Sequence, residues 1–238
     1  MENFERIDEL KKERRLARKR QRRKRLLWHA AICSAVVMIF LSMVVMYFTA
    51  EVNEQQASKK EELTMKVETA PLVSQHLLTI NEYSRPGTKL EQVKGIVVHY
   101  TGNPGTTAMQ NRNYFEGLAQ SKKTKASSHY IIGLSGEILQ CVPLDEIAYA
   151  SNQRNADTIS IECCIDNEAG RFNEKTYDAL VELTAWLVGE YDLKINDIIR
   201  HYDVTGKICP KYFVEHESAW EDFKLDVAKY IDSHGVKK

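Results

Sequence analysis

The sequence predicts an α/β protein: a single domain with a central mixed β-sheet flanked by helices, preceded by one transmembrane helix. Two observations lead to this fold class. Between residues 76 and 238, short apolar runs typical of strands alternate with segments whose apolar residues recur at helical spacing. Before them, residues 26–50 contain no Asp, Glu, Lys or Arg. A hydrophobic fraction of 43% with a charged fraction of 28% excludes a wholly disordered chain and a multi-pass membrane protein.

The N-terminal tail, residues 1–25, is strongly basic. It carries 12 Lys and Arg against 5 Asp and Glu, a net charge of +7, whereas the rest of the chain carries 21 against 28, a net charge of −7. We interpret the tail as a cytoplasmic segment lying against anionic lipid, not as a nucleic-acid-binding arm. The uncharged stretch 26–50 is long enough, at about 1.5 Å per residue, to cross a hydrocarbon core of roughly 30 Å. We therefore expect a single-pass cell-membrane protein whose C-terminal part lies outside the cytoplasm.

A cleaved signal peptide is the alternative interpretation of the same segment. Its charged region would be unusually long and its apolar stretch too long. Cleavage after Ala50 is disfavoured, because Phe48 occupies a position that prefers a small residue. We therefore expect an uncleaved anchor. The polar residues 51–75 lack a sustained apolar period and predict a linker that leads to a domain at 76–238.

The first half of this domain predicts a strand, a helix and a hairpin. Residues 95–100 form a short apolar run that ends in a Gly-Asn-Pro-Gly turn. A Thr pair at 106–107 can cap a helix that reaches roughly to Leu118. Residues 129–133 and 137–142 flank a Ser-Gly pair and predict a β-hairpin.

The second half alternates strands with helices. Residues 158–164 predict a strand, in which adjacent Cys163 and Cys164 should fill the core on opposite faces. Asn173 is the expected cap of a helix with apolar residues at helical spacing. Residues 197–201 predict another strand. The apolar face of a final helix consists of Trp220, Phe223, Val227, Tyr230 and Ile231.

The ends of these strands carry residues suited to metal chemistry. His99 ends the first strand, His201 ends the last one, and Cys209 follows eight positions later. Two neutral imidazoles and a thiolate form a three-ligand zinc set that leaves a fourth position open, as in catalytic zinc sites. Zinc lowers the pKa of water in such a site towards about 7, and the reaction then needs a base and a group that stabilises an oxyanion. Glu162 and Lys207 are candidates for these two roles.

Four motifs resemble those of the zinc-dependent N-acetylmuramoyl-L-alanine amidases, the type shared with phage lysozyme-like amidases and peptidoglycan recognition proteins. The resemblance extends from about residue 80 to 215, more than half of the chain. In chain order, the matching motifs are Val97–Thr101, Ser127–Ile132, Asp157–Glu162 and His201–Pro210.

The resemblance implies an enzyme and assigns its residues. It implies that His99, His201 and Cys209 bind zinc, that Glu162 is catalytic and that Lys207 stabilises the oxyanion. The implied reaction is hydrolysis of the amide between the lactyl group of N-acetylmuramic acid and the first L-alanine of the peptidoglycan stem peptide.

One position departs from the family pattern. Several members have a tyrosine just before the position of His129, where this chain has Ser128. The candidate substitutes are His129 and Tyr130, and the alternative is that Glu162 and Lys207 suffice. We also assign His129 and Asn152 as candidate substrate-binding residues. The alternatives are a packed strand histidine for His129 and a plain turn residue for Asn152.

Two other functions remain open at this stage. One is a non-catalytic muropeptide recognition or sensor module; such relatives typically lose the zinc cysteine, whereas this chain keeps Cys209. The other is a zinc peptidase acting within the stem peptide, because the metal chemistry is the same. The expected partners are peptidoglycan or muropeptides and, through the anchor, membrane lipid. No nucleic acid is expected, and the sequence identifies no protein partner.

Overall fold

The structure is a computed structural model that describes residues 28, 38, 40–47 and 65–238. The chain divides into two units, Met1–Lys60 and Glu61–Lys238. In the first unit, residues 40–47 are helical. Within the described residues, no helix is both long and apolar enough to cross a membrane. The predicted basic tail, most of the predicted span 26–50 and the first part of the predicted linker lie outside the described residues.

The second unit is an α/β domain with a mixed sheet. Its strands, in the described part of the chain, are β1 (Met65–Lys66), β2 (Val73–Gln75), β3 (Ile96–Tyr100), β4 (Tyr130–Ile132), β5 (Ile138–Gln140), β6 (Ile159–Cys163), β7 (Ile198–Arg200) and β8 (Val236–Lys237). Its α-helices there are α1 (Ala108–Ser121), α2 (Glu174–Glu190), α3 (His201–Thr205), α4 (Lys211–Glu215) and α5 (Glu217–His234).

The central sheet has the strand order β2-β5-β4-β6-β3-β7. The pair β4–β5 is antiparallel, and all other neighbours in this sheet are parallel. The predicted mixed sheet flanked by helices is therefore confirmed. The parallel strands β4, β6, β3 and β7 all end at the same edge of the sheet, which is where ligands bind in open α/β sheets.

Side-chain alternation in the strands divides the core between the two sheet faces. Ile159, Ile161 and Cys163 of β6 belong to the larger cluster, which is covered by α2 and α5. Cys164 belongs to the smaller cluster, with α1 residues such as Phe115. The two adjacent cysteines therefore fill the core on opposite faces, as predicted.

The predicted helix caps are also confirmed. Thr107 caps α1 in a capping box with Gln110, whose backbone N–H donates to the Thr107 hydroxyl at 3.1 Å. Asn173 caps α2 by accepting from the backbone N–H of Thr176 at 3.0 Å. Both caps satisfy backbone donors that a helix start leaves without partners.

The start of the folded unit lies earlier than the sequence indicates. Residues 65–75, which the pattern assigns to the linker, contribute β1 and β2. β1 pairs with β8 at the C-terminus, β2 pairs with β5, and Val67 is buried in the larger core cluster. Strands of two and three residues are too short for a hydrophobic period, so partners distant in sequence define them.

Candidate metal centre and active-site cleft

Parallel pairing places the candidate residues at one edge of the sheet. In the register of β3 and β6, His99 is directly opposite Glu162. Their side chains therefore project from the same face, opposite to the larger core cluster. β7 lies on the other side of β3 and ends at Arg200, so His201 follows at the same edge as the first residue of α3. The strand predicted at 197–201 is present over Ile198–Arg200, because Asp197 ends a 3-10 helix and His201 begins α3.

A tight turn returns Cys209 to the histidines. α3 ends at Thr205, and Gly206 follows with a φ of +78°, a conformation that glycine adopts without strain. The Tyr202 N–H then donates to the carbonyl oxygen of Cys209 at 2.9 Å. The loop that contains Lys207 is thus folded back against α3.

His99, His201 and Cys209 form a buried cluster of metal-ligand atoms. One donor atom from each lies within 4.8 Å of the others. Cys209 Sγ is 3.8 Å from His99 Nδ1, and the centroids of the two imidazole rings are 4.7 Å apart. The cysteine and the two histidines are each at most 6% exposed. The sequence-predicted ligand set is therefore brought together.

The protonation preferences of this cluster suit a divalent cation. Burial lowers the pKa of His99 well below its ordinary value, and the neighbouring His201 and Lys207 lower it further. Burial and Lys207 also lower the pKa of His201. Both imidazoles are thus neutral and can donate a lone pair. His201 Nδ1 is buried and, among the described residues, has no hydrogen-bond partner. An orphaned imidazole nitrogen beside a thiol and a second imidazole fits the donor set of a zinc site.

Burial raises the pKa of the Cys209 thiol to about 12, and the nearby Glu162 contributes in the same direction. Without a cation the sulfur therefore keeps its proton at neutral pH. A zinc ligand must be a thiolate, so metal binding at this cluster releases a proton and depends on pH.

In both histidines of the cluster, the second ring nitrogen, Nε2, contacts a polar side chain. His99 Nε2 is 3.2 Å from the hydroxyl oxygen of Ser151, and His201 Nε2 is 3.1 Å from Oδ1 of Asn152. Both contacts come from consecutive residues of one loop. Partners of this kind fix the ring orientation of metal-ligating histidines.

Glu162 lies beside the cluster with an unsatisfied carboxylate atom. Its side chain is partly exposed, but Oε2 is buried and has no hydrogen-bond partner in the described part of the chain. Burial raises the pKa of Glu162 to about 8, and the charge of Lys207 opposes this rise. A carboxyl group whose pKa is close to neutral is suited to exchange protons in catalysis.

The site opens into a cleft of about 310 Å³. His99, His201, Glu162 and Lys207 all line it. Lys207 is exposed and supplies the positive charge that acts on the other three groups. The remaining walls include Phe115, Lys125, Tyr149, Asn152 and Asn155.

The two candidate substrate-binding residues occupy different places. Asn152 lines the cleft, and it also contacts His201. His129 is only 1% exposed and is not among the residues that line the cleft. Its Nε2–H donates to the Glu146 carbonyl oxygen at 2.9 Å, and its Nδ1 accepts from the Ser160 N–H at 3.0 Å. This placement corresponds to the packed strand histidine that the sequence left as the alternative.

Ser128, at the position that is tyrosine in several relatives, is completely buried. Its hydroxyl donates to the Tyr130 carbonyl at 2.5 Å and contacts the Ser160 carbonyl at 3.1 Å. It therefore has an internal role. Sequence reasoning did not identify Ser151, Lys125 or Tyr149, because a serine, a lysine and a tyrosine in loops carry no signal without the fold.

The fold and the donor set define an α/β protein with a cleft built to hold a divalent metal ion. Comparison with known families makes this class specific. The model of the family described as N-acetylmuramoyl-L-alanine amidase matches residues 89–212, more than half of the chain, and the chain therefore belongs to that family. The His99, His201 and Cys209 group is typical of the zinc site of this family.

Curated relatives carry the same description. The chain is 37% identical over 179 residues to the N-acetylmuramoyl-L-alanine amidase CwlL of Bacillus licheniformis, covering 70% of this chain and 49% of that protein. It is 34% identical over 182 residues to the N-acetylmuramoyl-L-alanine amidase BlyA of Bacillus subtilis (strain 168), covering 68% and 48%. The chain thus spans about half the length of the curated relatives that it matches.

Solved structures show the same fold. The structure of PlyL matches with a TM-score of 0.57 and 23% identity, covering 66% of this chain and 97% of that one. The catalytic domain of XlyA matches with a TM-score of 0.55 and 24% identity, covering 66% and 99%. At these identities the likeness concerns the fold alone.

Proposed function

We propose that this chain is a zinc-dependent N-acetylmuramoyl-L-alanine amidase. Its substrate is peptidoglycan or its fragments, and it cleaves the amide between the lactyl group of muramic acid and L-alanine. The observation that carries the proposal is a three-residue ligand cluster whose two histidines line one cleft together with Glu162, a residue with a buried, unpartnered Oε2. Membership of the amidase family supports the same substrate.

His99, His201 and Cys209 would hold the zinc ion. When bound, the ion supplies Lewis-acid chemistry, which makes water a nucleophile near neutral pH and polarises the amide carbonyl. The other chemical tasks are then proton transfer and stabilisation of the oxyanion, and residues of this chain perform them.

Glu162 carries the proton. Its carboxylate takes a proton from the attacking water and later delivers it to the nitrogen of the leaving alanine. A pKa near neutrality suits both steps, because the group must accept a proton and give it up in one turnover. Lys207 keeps the carboxylate form accessible, because its charge opposes the effect of burial on Glu162. Lys207 Nζ also donates to the oxyanion that forms at the lactyl carbonyl.

The membrane anchor is part of the proposal and rests on the sequence. The uncharged stretch 26–50 follows a tail of net charge +7, which favours a cytoplasmic N-terminus and an external amidase domain. In the described helical segment, Phe40, Leu41 and Met43 expose large apolar side chains, as a lipid-facing helix does. An external domain would lie in the compartment that contains peptidoglycan.

The identity of the products tests the reaction. The full chain, loaded with zinc, is incubated with purified peptidoglycan, and new N-terminal alanine, other new N-termini and new reducing ends are followed together. We expect N-terminal alanine alone, its release stopped by a chelator and restored by zinc. New N-termini from other stem-peptide residues identify a peptidase instead. Muropeptide binding without any release identifies a recognition module. Either result overturns the proposal.

The anchor is tested separately by alkaline extraction of membranes from cells that express the full chain. We expect the unchanged chain to stay in the membrane and a Met38→Lys, Leu41→Lys chain to be released, because two charges near the middle of the span oppose insertion. Release of the unchanged chain contradicts the anchor and leaves the amidase assignment intact.

A further inference from the structure

The loop of residues 150–155 contacts both histidines of the metal-ligand cluster through consecutive side chains. Ser151 is 1% exposed, and its Oγ is 3.2 Å from His99 Nε2. Asn152 reaches His201 Nε2 with its Oδ1 at 3.1 Å. One short segment therefore controls the outer nitrogen of both rings, although it lies about fifty positions from each histidine in sequence.

The contact from Asn152 defines which nitrogen of His201 is free to bind a cation. A carboxamide oxygen only accepts, so His201 Nε2 carries the hydrogen and Nδ1 keeps its lone pair. This Nδ1 is the buried atom without a partner among the described residues. At His99, Nε2 faces the Ser151 hydroxyl, which can accept its hydrogen, and Nδ1 faces Cys209 Sγ at 3.8 Å.

The loop itself is held in one conformation. Oδ1 of Asn155 accepts from the backbone N–H of Ala150 at 3.0 Å and from that of Ser151 at 2.6 Å. Asn152 has a φ of +53°, in the left-handed region that asparagine tolerates. The Gln153 amide donates to the Val204 carbonyl at 2.9 Å, which ties the loop to α3, the helix that carries His201.

We propose that Ser151 and Asn152 are positioning residues for the metal centre: together they hold both histidines with Nδ1 directed at the cation and Nε2 protonated. This inference rests on the proposed zinc-dependent function. It assigns to Asn152 a role on the ligand rather than on the substrate. Loss of such partners typically weakens metal affinity by about 10- to 100-fold.

The test measures zinc affinity of the full chain by competition with a chromophoric chelator, in the absence of substrate. Asn152→Gly removes the amide while keeping a residue that adopts a positive φ freely, and Asn152→Asp keeps an oxygen acceptor. Ser151→Ala removes the second contact. Arg154→Ala is the matched control, because its side chain lies in the same loop and pairs with Asp157 at 2.7 Å.

We expect Asn152→Gly and Ser151→Ala to bind zinc about 10- to 100-fold more weakly, whereas Asn152→Asp and Arg154→Ala remain close to the unchanged chain. With Co²⁺ in place of zinc, the absorption bands of the metal should shift in Asn152→Gly and be retained in Asn152→Asp. A purely structural role predicts no spectral shift in a glycine variant that folds normally.

Three outcomes separate this inference from the proposed function. Normal zinc affinity and an unshifted cobalt spectrum in both Asn152→Gly and Ser151→Ala overturn the inference alone. Weakened affinity in these variants, with no alanine release by the unchanged zinc-loaded chain, supports the inference and overturns the amidase function. An unchanged chain that binds no zinc overturns both.

Discussion

Two clefts of the domain differ strongly in character. The metal-ligand cleft at the edge of the sheet has a volume of about 310 Å³, whereas a groove between the N-terminal parts of α2 and α5 has about 710 Å³. Among the described residues, four buried side-chain polar atoms lack a partner. Two of them, Glu162 Oε2 and His201 Nδ1, belong to residues of the smaller cleft, and none belongs to the larger groove. Unsatisfied buried groups, rather than volume, therefore distinguish the functional site.

The carboxyl groups of the two clefts show the same contrast. In the groove, Asp226 accepts from Lys229 at 2.9 Å and from the Tyr177 hydroxyl at 2.9 Å, and these bonds lower its pKa despite some burial. In the smaller cleft, burial raises the pKa of Glu162 to about 8. A satisfied carboxylate stays ionised and stabilises the fold, whereas an unsatisfied one is available for proton transfer.

The largest expected effect comes from the ligand cluster. The Cys209→Ala chain should no longer bind one equivalent of zinc, since two imidazoles alone bind the ion weakly. Formation of N-terminal alanine from peptidoglycan should fall to the uncatalysed background. Metal analysis and the product assay check both points. Cys141→Ala is the matched control, because Cys141 is an equally buried thiol in the smaller core cluster. Full activity in Cys209→Ala would show that the cluster is not the catalytic centre.

Arg200 directly precedes His201 of the smaller cleft and contacts Phe213 of the larger groove. Its loss should have the next largest effect. It is 6% exposed, bonds to Asp203 and Glu217 at 2.9 and 2.6 Å, and donates to the Phe213 carbonyl at 2.9 Å. Arg200→Met leaves the Phe213 carbonyl without this donor, and Asp203 keeps only its bond from the backbone N–H of residue 200, so we expect the free energy of unfolding to fall by about 3 kcal/mol. Urea denaturation measures this change.

The control for Arg200 is Lys224→Met. Arg200 donates a buried hydrogen bond to the Phe213 carbonyl. Lys224 instead forms an ion pair with Glu221 at 2.9 Å, at i,i+3 spacing in α5, and that carboxylate is more than half exposed. Removing such a pair should change the free energy of unfolding by at most about 1 kcal/mol. Equal losses in the two variants would contradict a special role of Arg200.

Much of the site was predictable from the sequence, because its residues belong to short motifs at strand ends. His99, Glu162 and His201 each follow or lie in an apolar run of recognisable period. Ser151 was not predictable, since its contact with His99 spans 52 positions and depends on how the loop folds. Strand β1 was not predicted for a similar reason, because its partner β8 lies at the C-terminal end of the same domain, far away in sequence.

His129 differs from the histidines of the ligand cluster, because it is buried and both of its ring nitrogens form hydrogen bonds. Burial lowers its pKa from about 6.5 to about 4. The unfolded chain therefore binds this proton more readily than the native one, and stability is lost as the pH falls from about 6.5 towards 4. Between pH 7 and pH 5 the contribution of His129 amounts to a loss of about 2 kcal/mol.

Urea denaturation at the two pH values checks this expectation. His129→Gln should be less stable than the unchanged chain at pH 7, and its stability should fall less between pH 7 and pH 5. The same pH dependence in both chains would assign the acid sensitivity to other groups.

The smallest effect is expected in the larger groove. Tyr177→Phe removes the hydroxyl that donates to Asp226, so we expect a loss of about 1 kcal/mol in the free energy of unfolding. The rate at which new N-terminal alanine forms should be unchanged, because the groove and the metal-ligand cleft share no lining residue. A strong fall in activity with normal stability would reverse our ranking of the two clefts.

The most direct test of the central claim compares the unchanged chain with Glu162→Gln, each loaded with zinc. We expect equal zinc content and a fall of about 10²- to 10⁴-fold in the rate at which new N-terminal alanine forms, the range expected when a general acid–base group is removed. Gln has nearly the same shape as Glu, so packing around the site is preserved. Formation of N-terminal alanine at the unchanged rate in Glu162→Gln would show that Glu162 is not the proton-transfer group.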